Sequence, residues 1–155
     1  NPAGATHQLI GVYDSRWTEI LAQVLNNLGT VHALLVSGED GLDELTTTAK
    51  SRVSEVYKGQ IKNYEINPED FGIKKARLED LAGKDASFNS KILLDILQGE
   101  TGPKRDIVIL NAAAAVYAAD KAKSIKEGIQ LAKEAIDSKL ALEKFELLKK
   151  YSLNS

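Results

Sequence analysis

"QLIGVYDSRWTEILAQVLNNLGTVHALLV", Gln8 to Val36, contains three changes of texture, and their order decides the fold. Gln8 to Tyr13 is a short, mostly apolar run and reads as a strand. Asp14 and Ser15 each offer a side chain able to cap a helix, and Trp17, Ile20, Leu21, Val24, Leu25 and Leu28 then recur at helical intervals. Gly29 supplies a C-terminal stop. Val31 to Val36 is again short, apolar and partly β-branched, as a buried strand is. Strand, helix and strand joined by short loops make a right-handed crossover between two parallel strands, which places the chain in the α/β class.

The texture alternates further on. "RVSEVYKGQIKNYEI", Arg52 to Ile66, switches between apolar and polar residues around Lys58-Gly59, predicting an antiparallel hairpin of Val53 to Tyr57 with Ile61 to Ile66, one face solvated. Asn67, Pro68, Glu69 and Asp70 combine a cap, a proline at the first helical position and acidic first-turn residues, so a brief helical turn follows. From Ala76 onward strand patterns vanish. "DASFNSKILLDILQG" places Phe88, Ile92, Leu93, Ile96 and Leu97 on one face before Gly99. "KRDIVILNAAAAVYAADKA" has small residues at its centre, suited to close packing. "SIKEGIQLAKEAIDS" and "ALEKFELLKKYS" are amphipathic.

With 155 residues, 43% of them hydrophobic and 27% charged, the chain has the proportions of one folded domain. A net charge of -2 with interspersed signs gives no footprint for nucleic acid or an acidic membrane, and no apolar run is long enough to span a bilayer. Cysteine is absent, which excludes disulfides, thiol nucleophiles and thiolate metal sites and fits a reducing compartment. Methionine is absent too, even at position 1, and a strand follows almost at once. Both features read as a fragment of a longer protein.

Few residues offer nucleophilic or metal chemistry. The two histidines are His7, in the opening turn, and His32, inside the second strand, where it reads as a packed residue. Neither has a partner at helical spacing for zinc. Asp70-Phe71-Gly72 spells a kinase magnesium motif, but no glycine-rich or catalytic loop accompanies it, so it reads as a turn with a buried phenylalanine. "GETGPKRD", Gly99 to Asp106, admits two readings: glycines, Lys104 and Arg105 presenting a helix N-terminus to phosphate, or a plain loop and helix start.

The strongest chemical signal is the acidic loop that follows the second strand. Glu39, Asp40, Asp43 and Glu44 lie just past its C-terminal end, where ligands bind in open α/β sheets. Crowded carboxylates repel one another unless solvated or bridged by a cation, and an oxygen-only set suits a hard ion such as Mg²⁺. A solvated acidic loop is the other reading. The spacing is not that of an EF-hand.

"NPAGATHQLIGVY", "SGEDGLDELTTT", "EDFGI", "GPKRDIVILNAAAAVY" and "AKEAIDSKLALEKFE" together resemble the anthranilate phosphoribosyltransferase family of tryptophan biosynthesis, over essentially the whole chain. The resemblance implies a nucleoside phosphorylase and phosphoribosyltransferase type of α/β domain: here a partial central sheet, with the parallel unit plus the hairpin, flanked by helices. Residues 1–155 would be the C-terminal portion of that domain. A small helical domain that forms a homodimer and a glycine-rich phosphate loop would lie upstream. The implied reaction is transfer of a 5-phosphoribosyl group from phosphoribosyl pyrophosphate (PRPP) to the amine of anthranilate, releasing pyrophosphate with Mg²⁺ as cofactor, in the cytoplasm and without nucleic acid or membrane.

The family's metal-binding pair falls on Asp43 and Glu44. Glu39 and Asp40 inherit no metal role and stand beside the pair or in solvent. The "NPA" turn suggests Pro2 and Ala3 as substrate-lining residues, although a structural turn explains them equally well. Ser37 replaces a histidine common in relatives, with no evident penalty. Without the upstream phosphate loop, this chain alone is expected to be inactive. Two alternatives share the residues: a pyrimidine-nucleoside phosphorylase-like transferase and a non-catalytic nucleic-acid-binding paralogue.

Overall fold

The structure is a computed structural model that describes residues 3–152. Asn1 and Pro2, the start of the expected opening turn, lie outside them. Four strands form one sheet in the order β1 (His7–Gly11), β2 (His32–Gly38), β3 (Ser51–Tyr57) and β4 (Gln60–Ile66). β1 and β2 are parallel, and β3 and β4 add antiparallel, so the crossover unit and the hairpin share a single sheet. Lys58 and Gly59 both take positive φ (48° and 82°), the requirement of a tight turn whose twist matches the strands. The sequence reading is corrected at β1, which begins at His7 and ends at Gly11. His7 is therefore a strand residue, and Tyr13 lies beyond the strand, 73% exposed.

Helix α1 (Arg16–Asn27) covers one face of the sheet. Asp14, rather than Ser15, provides the side-chain cap, accepting the backbone N–H of Arg16 at 2.9 Å. The buried line of α1 is not the expected one. Thr18 and Ala22 are fully buried against Ala33, Leu35 and Val56, with Leu21 and Leu25 at their flank. Trp17, Ile20, Val24 and Leu28 remain 43–76% exposed. The apolar arc is wider than one sheet face can cover, and small residues win the contact because they let the helix axis approach. Thr18 donates its hydroxyl to the Ser15 carbonyl and receives that of Ser54, so nothing polar is stranded there.

The opposite face carries the main core. Leu34 and Val36 of β2 and Val53 of β3 pack on Ile109, Leu110, Ala113 and Ala114 of α4 (Pro103–Ala118). Before α4 come a single 3-10 turn (Pro68–Phe71), the short α2 (Leu78–Leu81), which the sequence did not announce, and α3 (Ala86–Leu97). α5 (Ile125–Asp137) and α6 (Leu140–Ser152) follow. The small centre of α4 does bring a neighbour close: a Cβ on Gly128 of α5 would lie 2.5 Å from the Ala113 carbonyl oxygen. Phe71 packs half-buried against this core, as its turn reading requires.

His32 is a packed residue. At 1% exposure its ring stands edge-on to Tyr57 and Tyr117, with Nδ1 2.8 Å from Asp120 and Nε2 3.0 Å from Glu55. Tyr117 also donates to Glu55 at 2.6 Å, and burial followed by that carboxylate pushes its phenol upward. The hydrogen bond from His32 holds Asp120 below the usual carboxylate range, with His7 contributing less. This network ties the N-terminal ends of β1 and β2 to the end of α4, at the opposite end of the strands from the acidic loop.

Candidate active site

The acidic loop, residues 39–50, leaves β2 at Gly38 and returns into β3 at Ser51. Its backbone is closed by the Gly38 N–H on the Leu42 carbonyl (2.9 Å) and the Glu39 N–H on the Lys50 carbonyl (2.9 Å). Four carboxylates in so short a segment demand distinct environments, and they have them.

Of the two places left open for Asp40, beside the pair or in solvent, the structure gives the first, with Asp40 organising the loop. It accepts the Leu42 N–H at 3.1 Å, the Thr46 hydroxyl at 2.5 Å and the Thr48 hydroxyl. Burial raises its proton affinity, but these three donors outweigh burial and leave the carboxyl below its ordinary value. A depressed folded-state value means that Asp40 stabilises the loop above the unfolded carboxylate range, about pH 4. That stabilisation is lost as pH falls through the folded value. The protection of the Leu42 and Thr48 amides, relative to their intrinsic exchange rates, is accordingly expected to fall below about pH 4, ahead of protection in β2 and α4. A uniform fall in the loop, β2 and α4 would contradict this assignment.

Asp43 and Glu44 are the expected metal pair, and the structure sets them together at the C-terminal ends of β1 and β2. Asp43 is exposed and Glu44 half-buried. The Asp43 carbonyl lies directly over Gly11, the last residue of β1, at a distance that leaves no room for a Cβ. Burial, then the charges of Asp43 and Asp40, raises the proton affinity of Glu44. A pair with this repulsion attracts a cation. Among the described residues, no three His, Cys, Asp or Glu groups converge into a metal cage. Two carboxylates by themselves would leave most positions of a hard ion to water or phosphate oxygens.

The remaining candidates separate from this pair. Ala3 is exposed near the start of β1, away from the acidic loop, and Pro2 lies outside the described residues. Glu39 is exposed and borders a concavity of about 330 Å³ walled by Tyr13, Asp14, Ser15, Ser37 and Arg52; Asp43 and Glu44 do not line it. The phosphate reading of the segment before α4 loses its cations. The Arg105 guanidinium is buried on the Gly99 carbonyl (3.0 Å) and Asp137 (2.6 Å), while Lys104 donates to the Ala82 carbonyl (2.5 Å). The residue that sequence reasoning missed is Asn111 of α4. It binds both the N–H and the C=O of Leu45, the residue after Glu44. Its only signal was a polar side chain inside an apolar helix.

Comparison with known proteins places this arrangement. Residues 1–142 match the family described as glycosyl transferase family, a/b domain. An anthranilate phosphoribosyltransferase of a Thermoanaerobacter strain is 54% identical over 151 residues, 97% of this chain and 45% of that protein. The enzyme of that name from Methanocorpusculum labreanum is 54% identical over 96% of this chain and 43% of its own length. This chain thus spans less than half the length of these relatives. Among solved structures, anthranilate phosphoribosyltransferase from Thermus thermophilus superposes with a TM-score of 0.79 at 41% identity, covering 91% of this chain and 40% of that one. The Saccharomyces cerevisiae enzyme in complex with PRPP and Mg gives 0.80 at 26% identity, covering 90% and 41%. With the family match running over nearly its whole length, the chain belongs to the glycosyl transferase family, as part of the a/b domain.

Proposed function

We propose that this chain is the C-terminal part of the α/β domain of an anthranilate phosphoribosyltransferase. In this reading the complete enzyme moves 5-phosphoribosyl from PRPP to the amine of anthranilate and releases pyrophosphate, as a cytoplasmic homodimer. The observation that carries the reading is the Asp43–Glu44 pair at the strand ends of a chain whose 54%-identical relatives bear that name.

The chemistry asks little of the protein in covalent terms. Bond breaking at the ribosyl C1 develops positive charge on the sugar and negative charge on pyrophosphate, so a site that fixes the leaving group in line lowers the barrier. Asp43 and Glu44 would hold Mg²⁺, which when bound supplies Lewis-acid neutralisation of the departing diphosphate. Asp40, through Leu42, Thr46 and Thr48, keeps the loop in shape. No side chain here needs to act as a nucleophile. Binding of PRPP and anthranilate would fall largely to the remainder of the enzyme.

The test is an assay of the complete enzyme containing this chain. Pyrophosphate release is expected to require PRPP, anthranilate and Mg²⁺ together, and to stop when a chelator removes the metal. Phosphorolysis of a pyrimidine nucleoside, with no reaction of PRPP, would overturn the proposal in favour of the phosphorylase alternative. The chain by itself is expected to bind Mg²⁺ only weakly, because two carboxylates leave most of the octahedron to water.

A further inference from the structure

Asn111 spends its whole carboxamide on backbone. Oδ1 accepts the Leu45 N–H at 3.0 Å, and Nδ2 donates to the carbonyls of Leu45 at 2.8 Å and Ile107 at 3.0 Å. The reversed orientation would set donor against donor and acceptor against acceptors, so the network fixes the amide. Leu45 itself is fully buried. A helix that otherwise buries Ile107, Ile109, Leu110, Ala113 and Ala114 does not need an amide at this position for its own packing. The amide instead serves the loop opposite.

The segment bearing the acid pair is gripped on both sides and from beneath. Asp40 holds the Leu42 N–H on one side of Asp43–Glu44, Asn111 holds both polar groups of Leu45 on the other, and Gly11 lies against the Asp43 carbonyl. The two-point hold by Asn111 falls on the residue directly after Glu44.

We propose that Asn111 is a positioning residue: its grip on Leu45 fixes the backbone from which Asp43 and Glu44 project, and so the direction in which the pair meets a metal-bound diphosphate. This rests on the metal reading given above. Partners that orient ligating carboxylates typically change metal affinity 10- to 100-fold when removed.

Asn111→Asp keeps an oxygen for the Leu45 N–H but turns a second oxygen on the carbonyls of Leu45 and Ile107. Asn111→Ser withdraws the amide without adding charge. In the complete enzyme, either variant is expected to bind Mn²⁺ about 10- to 100-fold more weakly in the presence of pyrophosphate. Amide exchange should accelerate across residues 42–48 while the sheet and α5 keep their protection. The metal concentration for half-maximal activity should rise more than the turnover at saturating metal falls. A purely structural role would lower thermal stability and leave the metal constant unchanged, and that result overturns the inference, as does failure of both variants to fold.

The Asp43→Asn, Glu44→Gln double variant separates the two readings. Should it lose Mn²⁺–pyrophosphate binding while Asn111→Asp retains it, positioning by Asn111 falls and the metal assignment stands. Wild-type binding by the double variant would remove the metal assignment and this inference with it.

Discussion

In the complete enzyme of the proposed function, changing Asp43 to Asn and Glu44 to Gln together is expected to lower turnover by about two to three orders of magnitude while the fold survives. The two amides keep the shapes of the acids but not the charge that, in the proposed function, would hold a cation against pyrophosphate. Neither acid belongs to the hydrophobic core, Asp43 being exposed and Glu44 half-buried. Their charges also work against the apo protein, since burial and the neighbouring carboxylates raise the proton affinity of Glu44. A raised folded-state value means that the native chain takes up this proton before the unfolded chain does, so Glu44 costs stability at neutral pH and less as pH falls. The double variant without metal should therefore melt at the same temperature as its parent or slightly higher. Turnover measured at saturating substrate checks the first half, and thermal unfolding in chelator the second. Near-normal turnover would remove the metal role from this pair.

Gly11→Ala is the second large effect, and it arises from a single methyl group. Gly11 sits in ordinary strand conformation, so alanine has no difficulty with the backbone there. The obstacle is across the gap. The added Cβ would fall 1.5 Å from the Asp43 carbonyl oxygen, 2.5 Å from its carbon and 3.3 Å from the Glu44 nitrogen, all of them backbone atoms that cannot rotate away. Either the acid loop lifts from β1 or the strand is pushed out of register with β2. Overpacking of this kind costs about 1–3 kcal/mol and sometimes more, and here it is concentrated on the segment that presents the acid pair. The expected result is a lower melting temperature and, in the complete enzyme, loss of metal-dependent turnover. A variant with parental activity would show that the loop tolerates displacement and that its seat on β1 is not part of the site.

The elements legible in the sequence are those whose signals are local. A period of 3.6 residues between Trp17 and Leu28, the alternation around Lys58-Gly59 and the proline at Pro68 each specify a structure within a few residues, and each is present in the fold. Features set by approach across the molecule were hidden. Nothing local says that Thr18 and Ala22, rather than Trp17 and Ile20, meet the sheet, because the choice depends on how close the helix can come. Glycine at position 11 and asparagine at position 111 look unremarkable until the loop that touches both is in place. At the site, the strand end and the family resemblance single out Asp43 and Glu44 as the candidate pair. What they did not show is the role of Asp40 in the loop, which follows from three donors further along it, at Leu42, Thr46 and Thr48.

The hold of Asn111 on Leu45 also fixes a sequence in time, because the two residues are 66 positions apart. Helical turns and the hairpin form from neighbours within microseconds, whereas a contact of this span waits until a long segment of chain has been closed. During synthesis, at about 5–20 residues per second, the acid pair leaves the ribosome several seconds before the side chain that clamps it. A nascent chain in that interval has the hold of Asp40 on the loop but not that of Asn111 on Leu45. Under the proposed metal role, the free energy of ion binding would therefore favour the chain that includes α4 over such precursors.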